Sequence, residues 1–310
     1  MNNYITIDGG TTNTRLSLIK DNNIIKTIRF SIGAKTSING NSELKKAVKE
    51  SIQKLLLEFG LTEKDITAVL ASGMITSEYG LHEVKHIIAP AGIKELHNSM
   101  QKVVLNDISA IPFYFISGVI IRGDLPENTD MMRGEETEIM GLTDNYGFDY
   151  AYLLPGSHSK LITLDNLGRI NSCKTMLTGE MISALSGNTI LKGTVDLSTD
   201  SYDTEYLIRG YESCIKYGIN ETLFKTRVLK NIFGISVAES YSYFLGTVLA
   251  NEIETVKKCG KNGVVIGGKG ALKNPMAELI NNKTDLKVIT IPDNITDNCT
   301  AKGAVKIIEY

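Results

Sequence analysis

Apolar positions in the first 127 residues follow two different spacings. Short apolar runs separated by turn residues occur at residues 4–7, 15–19 and 24–30. Such runs predict an antiparallel β meander. Residues 42–59 instead carry apolar side chains at helical spacing, namely Leu44, Val48, Ile52, Leu55 and Leu56. This spacing predicts an α-helix that ends at Gly60. With further strands expected at residues 66–71 and 113–117, the order β-β-β-α-β-α-β predicts one α/β lobe over residues 1–127.

The remaining residues, 128–310, repeat the strand-turn-strand arrangement and add longer helices. A turn at residues 126–129 is predicted to separate the halves, and residues 131–142 are expected to form a helix. The other predicted strands are residues 150–154, 161–164, 170–176, 263–268 and 287–291. The other predicted helices include residues 236–259, 275–281 and 300–309. We therefore expect a second lobe over residues 128–310, with room for the final helix to pack back near the first lobe.

Composition excludes several classes of function. The 310-residue chain is 42% hydrophobic and 22% charged, and its formal net charge is −2, so no overall positive field would attract nucleic acid or a membrane surface. No secretory signal is visible at the N-terminus, and no apolar run approaches the length of a membrane span. The four cysteines are scattered and form no CxxC motif. These features predict a cytoplasmic protein with neither a nucleic-acid nor a membrane partner.

The turn between the first two predicted strands is suited to a phosphate group. Its residues are Asp8, Gly9, Gly10, Thr11, Thr12 and Asn13. The glycines let the backbone approach a phosphate closely, and the threonine and asparagine side chains add hydrogen-bond donors. Asp8, at the end of the first strand, is suited to hold Mg²⁺ through water. The alternative is a glycine-rich hairpin without a ligand. The chain contains neither a GxxxxGK[ST] loop nor a strand-GxGxxG-helix unit.

A second turn of the same kind follows residue 154, and a glycine pair ends a later strand. The candidate phosphate ligands of this second turn are Gly156, Ser157, His158, Ser159 and Lys160. Hydroxyl groups and a lysine suit the β- or γ-phosphate of a nucleotide, although His158 can also be an exposed turn residue without a ligand. Gly267 and Gly268, followed by Lys269 and Gly270, would leave a flat surface for an adenine or ribose. Two hairpins followed by a strand-glycine-helix segment together indicate nucleotide binding.

Polar clusters before and after the second turn are candidates for the chemistry itself. Glu135 or Glu136 could accept a proton from a hydroxyl group during phosphoryl transfer, and Arg133 could hold a substrate carboxylate by two hydrogen bonds. A solvated first turn of a helix also explains the two glutamates. Thr178 and Glu180 are candidate ligands for sugar hydroxyls, although helix capping alone would explain Thr178.

Four segments together resemble the 2-dehydro-3-deoxygalactonokinase family. They are IDGGTTNTR (7–15), MRGEETE (132–138), LLPGSHSK (153–160) and MLTGE (176–180), in the family's order and approximate spacing. The first segment is shared with the whole actin/hexokinase/Hsp70-like ATPase superfamily, whereas RGEE and PGSH are specific to the family. The resemblance implies an α/β, two-lobed, actin/hexokinase-like (ribonuclease H-like) fold with an interlobe nucleotide cleft.

The resemblance also implies an activity. It implies a cytoplasmic kinase of galactonate degradation that uses ATP and Mg²⁺ to phosphorylate the 6-hydroxyl of 2-dehydro-3-deoxy-D-galactonate. The Asp8 turn would be the first phosphate motif, the Ser157 turn the second, and residues 264–272 the adenosine segment. In the similar glycerol-kinase-like enzymes, a Gly-Asp-Gln segment before the second turn supplies the catalytic aspartate. Glu135 occupies a comparable place, but the downstream glycine spacing differs by one, so Glu136 stays open.

Two other functions are compatible with the same segments. A kinase of the same fold could act on another sugar or sugar acid, because only the acceptor pocket would differ. A non-enzymatic, actin-like nucleotide-binding protein would share the phosphate turns but would not need a carboxylate near the second one. The expected partners are therefore ATP and a small sugar acid, and a homodimer is compatible with the sequence.

Overall fold

The computed structural model describes residues 2–38, 40–199, 201–268 and 270–310. Lys269, which the sequence analysis placed beside the glycine pair, lies outside the described residues. The chain divides into two compact units. The first unit comprises Met1–Phe148, Leu164–Cys173 and Asp297–Tyr310, and the second comprises Asp149–Thr163 and Lys174–Thr296.

The first unit is built on a sheet in the order β3-β2-β1-β4-β7-β6 and a smaller sheet in the order β5-β8-β9. Its strands are β1 (Asn3–Gly9), β2 (Thr14–Lys20), β3 (Asn23–Phe30), β4 (Ala68–Gly73), β5 (Ile87–Ile88), β6 (Gln101–Val104), β7 (Pro112–Phe115), β8 (Val119–Ile121) and β9 (Asp130–Met132). Its helices include α1 (Ser42–Glu58), α2 (Ile93–Ser99) and α3 (Glu135–Tyr146). In the larger sheet, β1 pairs antiparallel with β2 and parallel with β4.

The second sheet runs in the order β12-β11-β10-β13-β14. Its strands are β10 (Ala151–Leu154), β11 (Ser159–Leu164), β12 (Ile170–Met176), β13 (Gly263–Ile266) and β14 (Lys287–Thr290). The helices of this half of the chain are α4 (Thr178–Asn188), α5 (Thr204–Tyr217), α6 (Ile219–Asn231), α7 (Val237–Lys257), α8 (Gly270–Lys283) and α9 (Asp293–Ile308). Here β10 pairs antiparallel with β11 and parallel with β13. Both larger sheets therefore place an antiparallel hairpin beside a parallel strand, which brings each hairpin turn to the end of a buried strand.

Several predicted elements are confirmed. The strands β1, β2 and β3 form the antiparallel meander. The predicted apolar face of α1 is buried in the core of the first unit, including Leu44, Val48, Ile52 and Leu55. The long helix predicted over residues 236–259 is α7, and Ser236 caps its N-terminus reciprocally with Glu239.

The predicted helix over residues 131–142 was wrong at its start. Asp130–Met132 is strand β9, which pairs antiparallel with β8, and α3 begins only at Glu135 after Gly134. Gly134 has φ +115°, a conformation that favours glycine and separates the strand from the helix. Residues 128–148 group with the first unit, whereas the sequence analysis placed its boundary at residue 127.

Helices α5 and α7 of the second unit cross at glycines. A Cβ at Gly246 would overlap the carbonyl oxygen of Leu207, and a Cβ at Gly210 would overlap that of Tyr243. The two backbones can therefore approach closely only without side chains at these positions.

Gly246→Ala should lower the free energy of unfolding by roughly 1–3 kcal/mol, because the added methyl must push the two helices apart. Alanine is otherwise the better helix former, so helix propensity alone would raise the free energy of unfolding. A decrease would therefore show that the close crossing of the two helices excludes the added methyl group. Gly187→Ala in α4 is the matched control, since a Cβ at Gly187 has no atom within 4 Å. Urea denaturation of the three proteins checks the prediction, and equal stability of the Gly246 variant and the unmodified protein would contradict it.

Across residues 2–38, 40–199, 201–268 and 270–310, the structure contains no helix with the length and apolar character needed to cross a bilayer.

Candidate functional site

The turn between β1 and β2 is closed by its own backbone. The Gly10 N–H donates to the Asn13 carbonyl at 2.8 Å. The backbone N–H groups of Ala34 and Lys35 donate to the carbonyls of Gly10 and Thr11 at 3.2 and 2.9 Å. These hydrogen bonds fix the backbone of the turn against residues 34–35.

The outer side of the same turn is polar and accessible. Thr11, Thr12 and Asn13 are exposed. The Asn13 side-chain amide donates to the Thr12 hydroxyl at 3.0 Å, so the two side chains are already arranged relative to each other. The turn therefore presents hydroxyl and amide groups from a fixed backbone, and its binding of phosphate stays a prediction.

Asp8 lies at the end of β1, directly opposite Arg15 on β2. The Arg15 guanidinium donates to Asp8 Oδ2 from Nε at 3.1 Å and from Nη2 at 2.5 Å. Asp8 and Arg15 also line a small cavity with Ser72 and Asp297. Both bonds from Arg15 reach the same oxygen, which leaves Oδ1 oriented toward Gly73.

The surroundings of Asp8 fit a magnesium ion that takes one carboxylate from the protein and its remaining ligands from water and nucleotide phosphates. Within the part of the chain that the structure describes, no three His, Cys, Asp or Glu side chains form a metal-binding cluster. Magnesium commonly takes one or two protein carboxylates and completes its shell with water and nucleotide phosphates. Asp8 can supply the carboxylate, and Arg15 would limit it to one oxygen.

Three glycines bring α3 close to the Asp8 turn. A Cβ at Gly9 would lie 2.7 Å from the Cβ of Ile75, and a Cβ at Gly73 would overlap the Gly9 carbonyl oxygen. A Cβ at Gly134 would lie 3.1 Å from the Cα of Gly73. Because these contacts leave no space for side chains, the ends of β1 and β4 and the start of α3 lie against one another.

The two glutamates at the start of α3 have different environments. Glu136 is 0% exposed, and both of its carboxyl oxygens accept from the Gly134 N–H, at 2.9 and 2.8 Å. Glu135 is only part-buried, and its Oε2 accepts from the Arg133 N–H at 3.0 Å. A proton acceptor has to reach a substrate hydroxyl, so the geometry favours Glu135 and gives Glu136 a capping role.

Burial raises the pKa of Glu136 to about 7, with a smaller contribution from the charge of Glu135, against the lowering effect of its backbone hydrogen bonds. The pKa of Glu136 in the folded protein lies above its ordinary value of 4.5. The contribution of protonated Glu136 to the free energy of unfolding is therefore fully present below pH 4.5 and is lost as the pH rises through 7.

Glu136→Gln should therefore reduce the loss of stability between pH 5 and pH 8 by on the order of 2 kcal/mol, because glutamine has no proton to lose. Urea denaturation of both proteins at the two pH values measures this difference without depending on their absolute stabilities. An identical pH dependence in the two proteins would show that Glu136 does not titrate in this range.

The Arg133 guanidinium is held by other parts of the first unit. Its Nη1 donates to the Thr76 carbonyl and hydroxyl at 2.8 and 2.6 Å, and its Nη2 contacts the Val84 carbonyl at 3.0 Å and His86 Nδ1 at 3.1 Å. These four contacts use the four N–H groups of Nη1 and Nη2. The carboxylate clamp that the sequence suggested would have to replace at least one of them, so the observed geometry supports a structural role for Arg133.

Glu138 is a further residue near Asp8 that the sequence analysis did not single out. Burial and the charge of Asp8 raise the pKa of Glu138 to about 7. Its carboxyl group accepts a hydrogen bond from the Cys299 thiol, which lowers the pKa. Glu138 lies three residues after Glu135 on α3, and this spacing places both on one side of a helix. The three-residue spacing from Glu135 was the sequence signal that could have identified Glu138 as a candidate site residue.

In the second unit, the turn between β10 and β11 packs against the start of α4. The Gly179 N–H donates to the carbonyls of Gly156 and Ser157 at 3.1 and 3.0 Å, and the Glu180 N–H donates to the Ser157 carbonyl at 3.3 Å. A Cβ at Gly179 would lie 2.8 Å from the Gly156 carbonyl oxygen. The first N–H groups of α4 are thus used to hold the turn.

The predicted ligands of this turn divide into exposed and buried residues. Ser157 and His158 are exposed, and His158 Nε2 lies 3.0 Å from Glu180 Oε1. Ser159 is 0% exposed, and Lys160 is buried with its Nζ donating to the Thr175 hydroxyl at 2.7 Å. Ser157 and His158 can therefore meet a ligand, whereas Ser159 and Lys160 face the interior.

Thr178 and Glu180 also differ in accessibility. Thr178 is 3% exposed and its hydroxyl donates to Glu252 Oε2 at 2.6 Å, whereas Glu180 is exposed. Direct contact between Thr178 and a sugar would require a rearrangement of this buried hydrogen bond.

The glycine pair after β13 lies against the second turn. The Gly267 N–H donates to the Leu153 carbonyl at 2.9 Å, and a Cβ at Gly268, which has φ +73°, would lie 2.9 Å from the Pro155 carbonyl oxygen. The second unit therefore brings together three separate segments that the sequence analysis assigned to the nucleotide and the substrate.

The sequence profile of the 2-keto-3-deoxy-galactonokinase family matches residues 8–307. The chain belongs to this family. The sugar-acid kinase class expected from the motifs is thus confirmed at the level of the family. The match includes both turns that the sequence analysis predicted to bind phosphate, and the two glutamates of α3.

One curated protein and one solved structure are similar to this chain over most of its length. A Rhizobium meliloti (strain 1021) protein named "Probable 2-dehydro-3-deoxygalactonokinase DgoK1" is 25% identical over 283 residues, which are 87% of this chain and 86% of that protein. A Sinorhizobium meliloti protein whose structure is described as "Crystal structure of a putative 2-dehydro-3-deoxygalactonokinase protein" matches with a TM-score of 0.79 at 22% identity, covering 98% of this chain and 95% of that one.

A more distant structural neighbour has the same fold. The Clostridium difficile activator of 2-hydroxyisocaproyl-CoA dehydratase, solved with bound ADPNP, matches with a TM-score of 0.56 at 16% identity, covering 98% of this chain and 93% of that one. The present chain therefore has the α/β, actin/hexokinase-like fold that the sequence analysis predicted.

Proposed function

We propose that this chain is an ATP-dependent kinase that phosphorylates the 6-hydroxyl of 2-dehydro-3-deoxy-D-galactonate. The family match over residues 8–307 supports a 2-keto-3-deoxygalactonate kinase. The exact epimer and the position of phosphorylation follow from the sequence resemblance, and they remain predictions. A cytoplasmic location is likewise a prediction from the sequence.

The arrangement of Asp8, Gly73 and Gly134 in the first unit is the observation that carries the proposal. The contacts among Gly9, Gly73 and Gly134 hold the start of α3 beside the Asp8 turn, so Glu135 comes near the proposed phosphate turn. A kinase needs a proton acceptor near the transferred phosphoryl group, whereas a nucleotide-binding scaffold does not.

The two turns have the same role in this proposal, which is to bind phosphate oxygens. Thr11, Thr12 and Asn13 bind phosphate oxygens through an exposed, backbone-anchored turn. Ser157 and the backbone of Gly156 do the same in the second unit, and Gly267 and Gly268 present a flat surface to the adenosine.

Proton transfer and charge stabilisation complete the mechanism. Glu135 accepts the proton of the substrate hydroxyl, and its hydrogen bond from the Arg133 N–H fixes its carboxylate. Asp8 would hold Mg²⁺, which neutralises charge on the phosphates when it is bound. Glu180 is the exposed candidate for contact with the sugar hydroxyls.

The test is a coupled assay of ADP release with purified protein, ATP and Mg²⁺. The acceptors are both epimers of the 2-keto-3-deoxy acid, gluconate, glycerol and a no-acceptor control. We expect the highest kcat/KM with the galactonate epimer, and phosphorus NMR of its product should show the phosphoryl group on the 6-hydroxyl.

The other outcomes discriminate among the alternatives. Preference for a different acceptor would keep the kinase chemistry and discard the proposed substrate. ADP release that is equal with and without an acceptor, or absent altogether, would contradict the kinase function and favour a nucleotide-binding protein.

A further inference from the structure

A buried carboxyl, that of Glu252, is hydrogen-bonded to the elements that hold the second phosphate turn. Glu252 is on α7 and is 4% exposed. Its Oε2 accepts from the Thr178 hydroxyl at 2.6 Å, and the Ser159 hydroxyl also hydrogen-bonds to the carboxyl. Thr178 is the first residue of α4, and Ser159 is the first residue of β11.

These two hydroxyls connect the carboxyl to both sides of the turn. The Gly156 N–H donates to Ser159 Oγ at 3.4 Å, so Ser159 links the turn backbone to Glu252. Beyond Thr178, the N–H groups of Gly179 and Glu180 donate to the turn carbonyls. Glu252 therefore anchors the strand that leaves the turn and the helix that supports it.

The position of Glu252 is costly for the folded protein. Burial raises the pKa of Glu252 to about 7, against the lowering effect of the bonds from Thr178 and Ser159. Among the described residues, its buried Oε1 has no hydrogen-bond partner. A buried carboxyl with an unsatisfied oxygen stabilises the fold less than an apolar side chain of similar size would. A role in fixing the two hydroxyls gives a physical reason for a carboxyl at this position.

We propose that Glu252 is a positioning residue for nucleotide phosphate. Through Ser159 and Thr178 it holds the turn at residues 155–158 in the conformation that binds the β-phosphate, without touching the nucleotide itself. This inference rests on the proposed function, since it takes the second turn as a phosphate site.

The test measures the dissociation constant of ADP in the presence of Mg²⁺ by calorimetry, together with KM for ATP and kcat. Glu252→Ala removes both acceptors and should weaken ADP binding by about tenfold or more, which corresponds to the loss of about 1.4 kcal/mol. Glu252→Gln keeps an acceptor of the same reach and should restore ADP affinity to within about threefold of the unmodified protein. Asn251→Ala, at an exposed position on the same helix, is the matched control.

Two further variants keep the inference testable if Glu252→Ala does not fold. Thr178→Val and Ser159→Ala each leave the carboxyl in place and remove one link to it. Each should raise KM for ATP by several-fold while kcat changes less, because the defect lies in phosphate positioning rather than in proton transfer.

The results separate this inference from the proposed function. Unchanged ADP affinity in Glu252→Ala, or equal losses in the alanine and glutamine variants, would overturn the positioning role. A protein that binds ADP in this Glu252-dependent way but phosphorylates none of the acceptors would leave the inference intact and contradict the proposed kinase. Thermal melting of every variant shows whether a lower affinity reflects unfolding.

Discussion

Glu135→Gln should lower kcat by about 10²–10⁴ and leave ADP binding nearly unchanged. Glutamine has the shape of glutamate and can still accept the Arg133 N–H at Oε1, so the start of α3 should keep its structure. It cannot accept a proton from the substrate hydroxyl, which is the role proposed for this residue. Steady-state kinetics with saturating sugar acid and ATP, together with calorimetry of ADP binding, measure both quantities.

The control for Glu135→Gln is Glu50→Gln on the exposed face of α1, which changes the same charge away from the proposed chemistry. Full activity in the Glu135 variant would remove this residue from the mechanism. A large loss of kcat in Glu136→Gln but not in Glu135→Gln would instead identify the buried neighbour as the proton acceptor. That result would require the Glu136 carboxyl to leave the Gly134 N–H.

Most of the fold was predictable because its signals are local. The apolar spacing of α1, the turn residues of the meander and the Ser236 cap of α7 each act within a few residues of chain. The start of α3 was not predictable in this way, because Asp130–Met132 becomes a strand by pairing with Val119–Ile121. Helices α5 and α6 were not assigned at all from the sequence.

The candidate site was predictable at the level of segments but not of individual side chains. The turns and the two glutamates were found, yet adjacent residues such as Glu135 and Glu136 differ only by which side of α3 they occupy. Arg133 was predicted to bind a substrate carboxylate because the local sequence shows no partner for its guanidinium. Its partners include Thr76 and Val84, which lie 57 and 49 residues earlier in the chain. Similarly, the hydroxyl of the buried Thr178 donates to Glu252, which lies 74 residues later in the chain and could not be paired with it from the local sequence.

Asp8→Asn should lower kcat on the order of 10²–10³ and increase the Mg²⁺ concentration needed for half-maximal turnover. Asparagine keeps the size of the side chain but loses the charge that attracts the ion. The ion pair with Arg15 is also lost, but both side chains are partly exposed, so this contributes only about 0–1 kcal/mol to stability. A magnesium titration of turnover measures the first effect.

A second measurement separates metal binding from catalysis in the Asp8→Asn variant. Electron paramagnetic resonance of Mn²⁺ with ADP reports metal binding without any phosphoryl transfer, and we expect weaker Mn²⁺ binding in the variant. Glu58→Gln is the matched control, because it breaks another ion pair of the first unit, with Lys26 at 2.7 Å, on the edge strand β3. If the Asp8 variant keeps its Mn²⁺ affinity but loses kcat, Asp8 acts through Arg15 on the turn rather than through the metal. If both quantities are unchanged, the Asp8 turn is a structural hairpin, and the phosphate contacts must come from other residues.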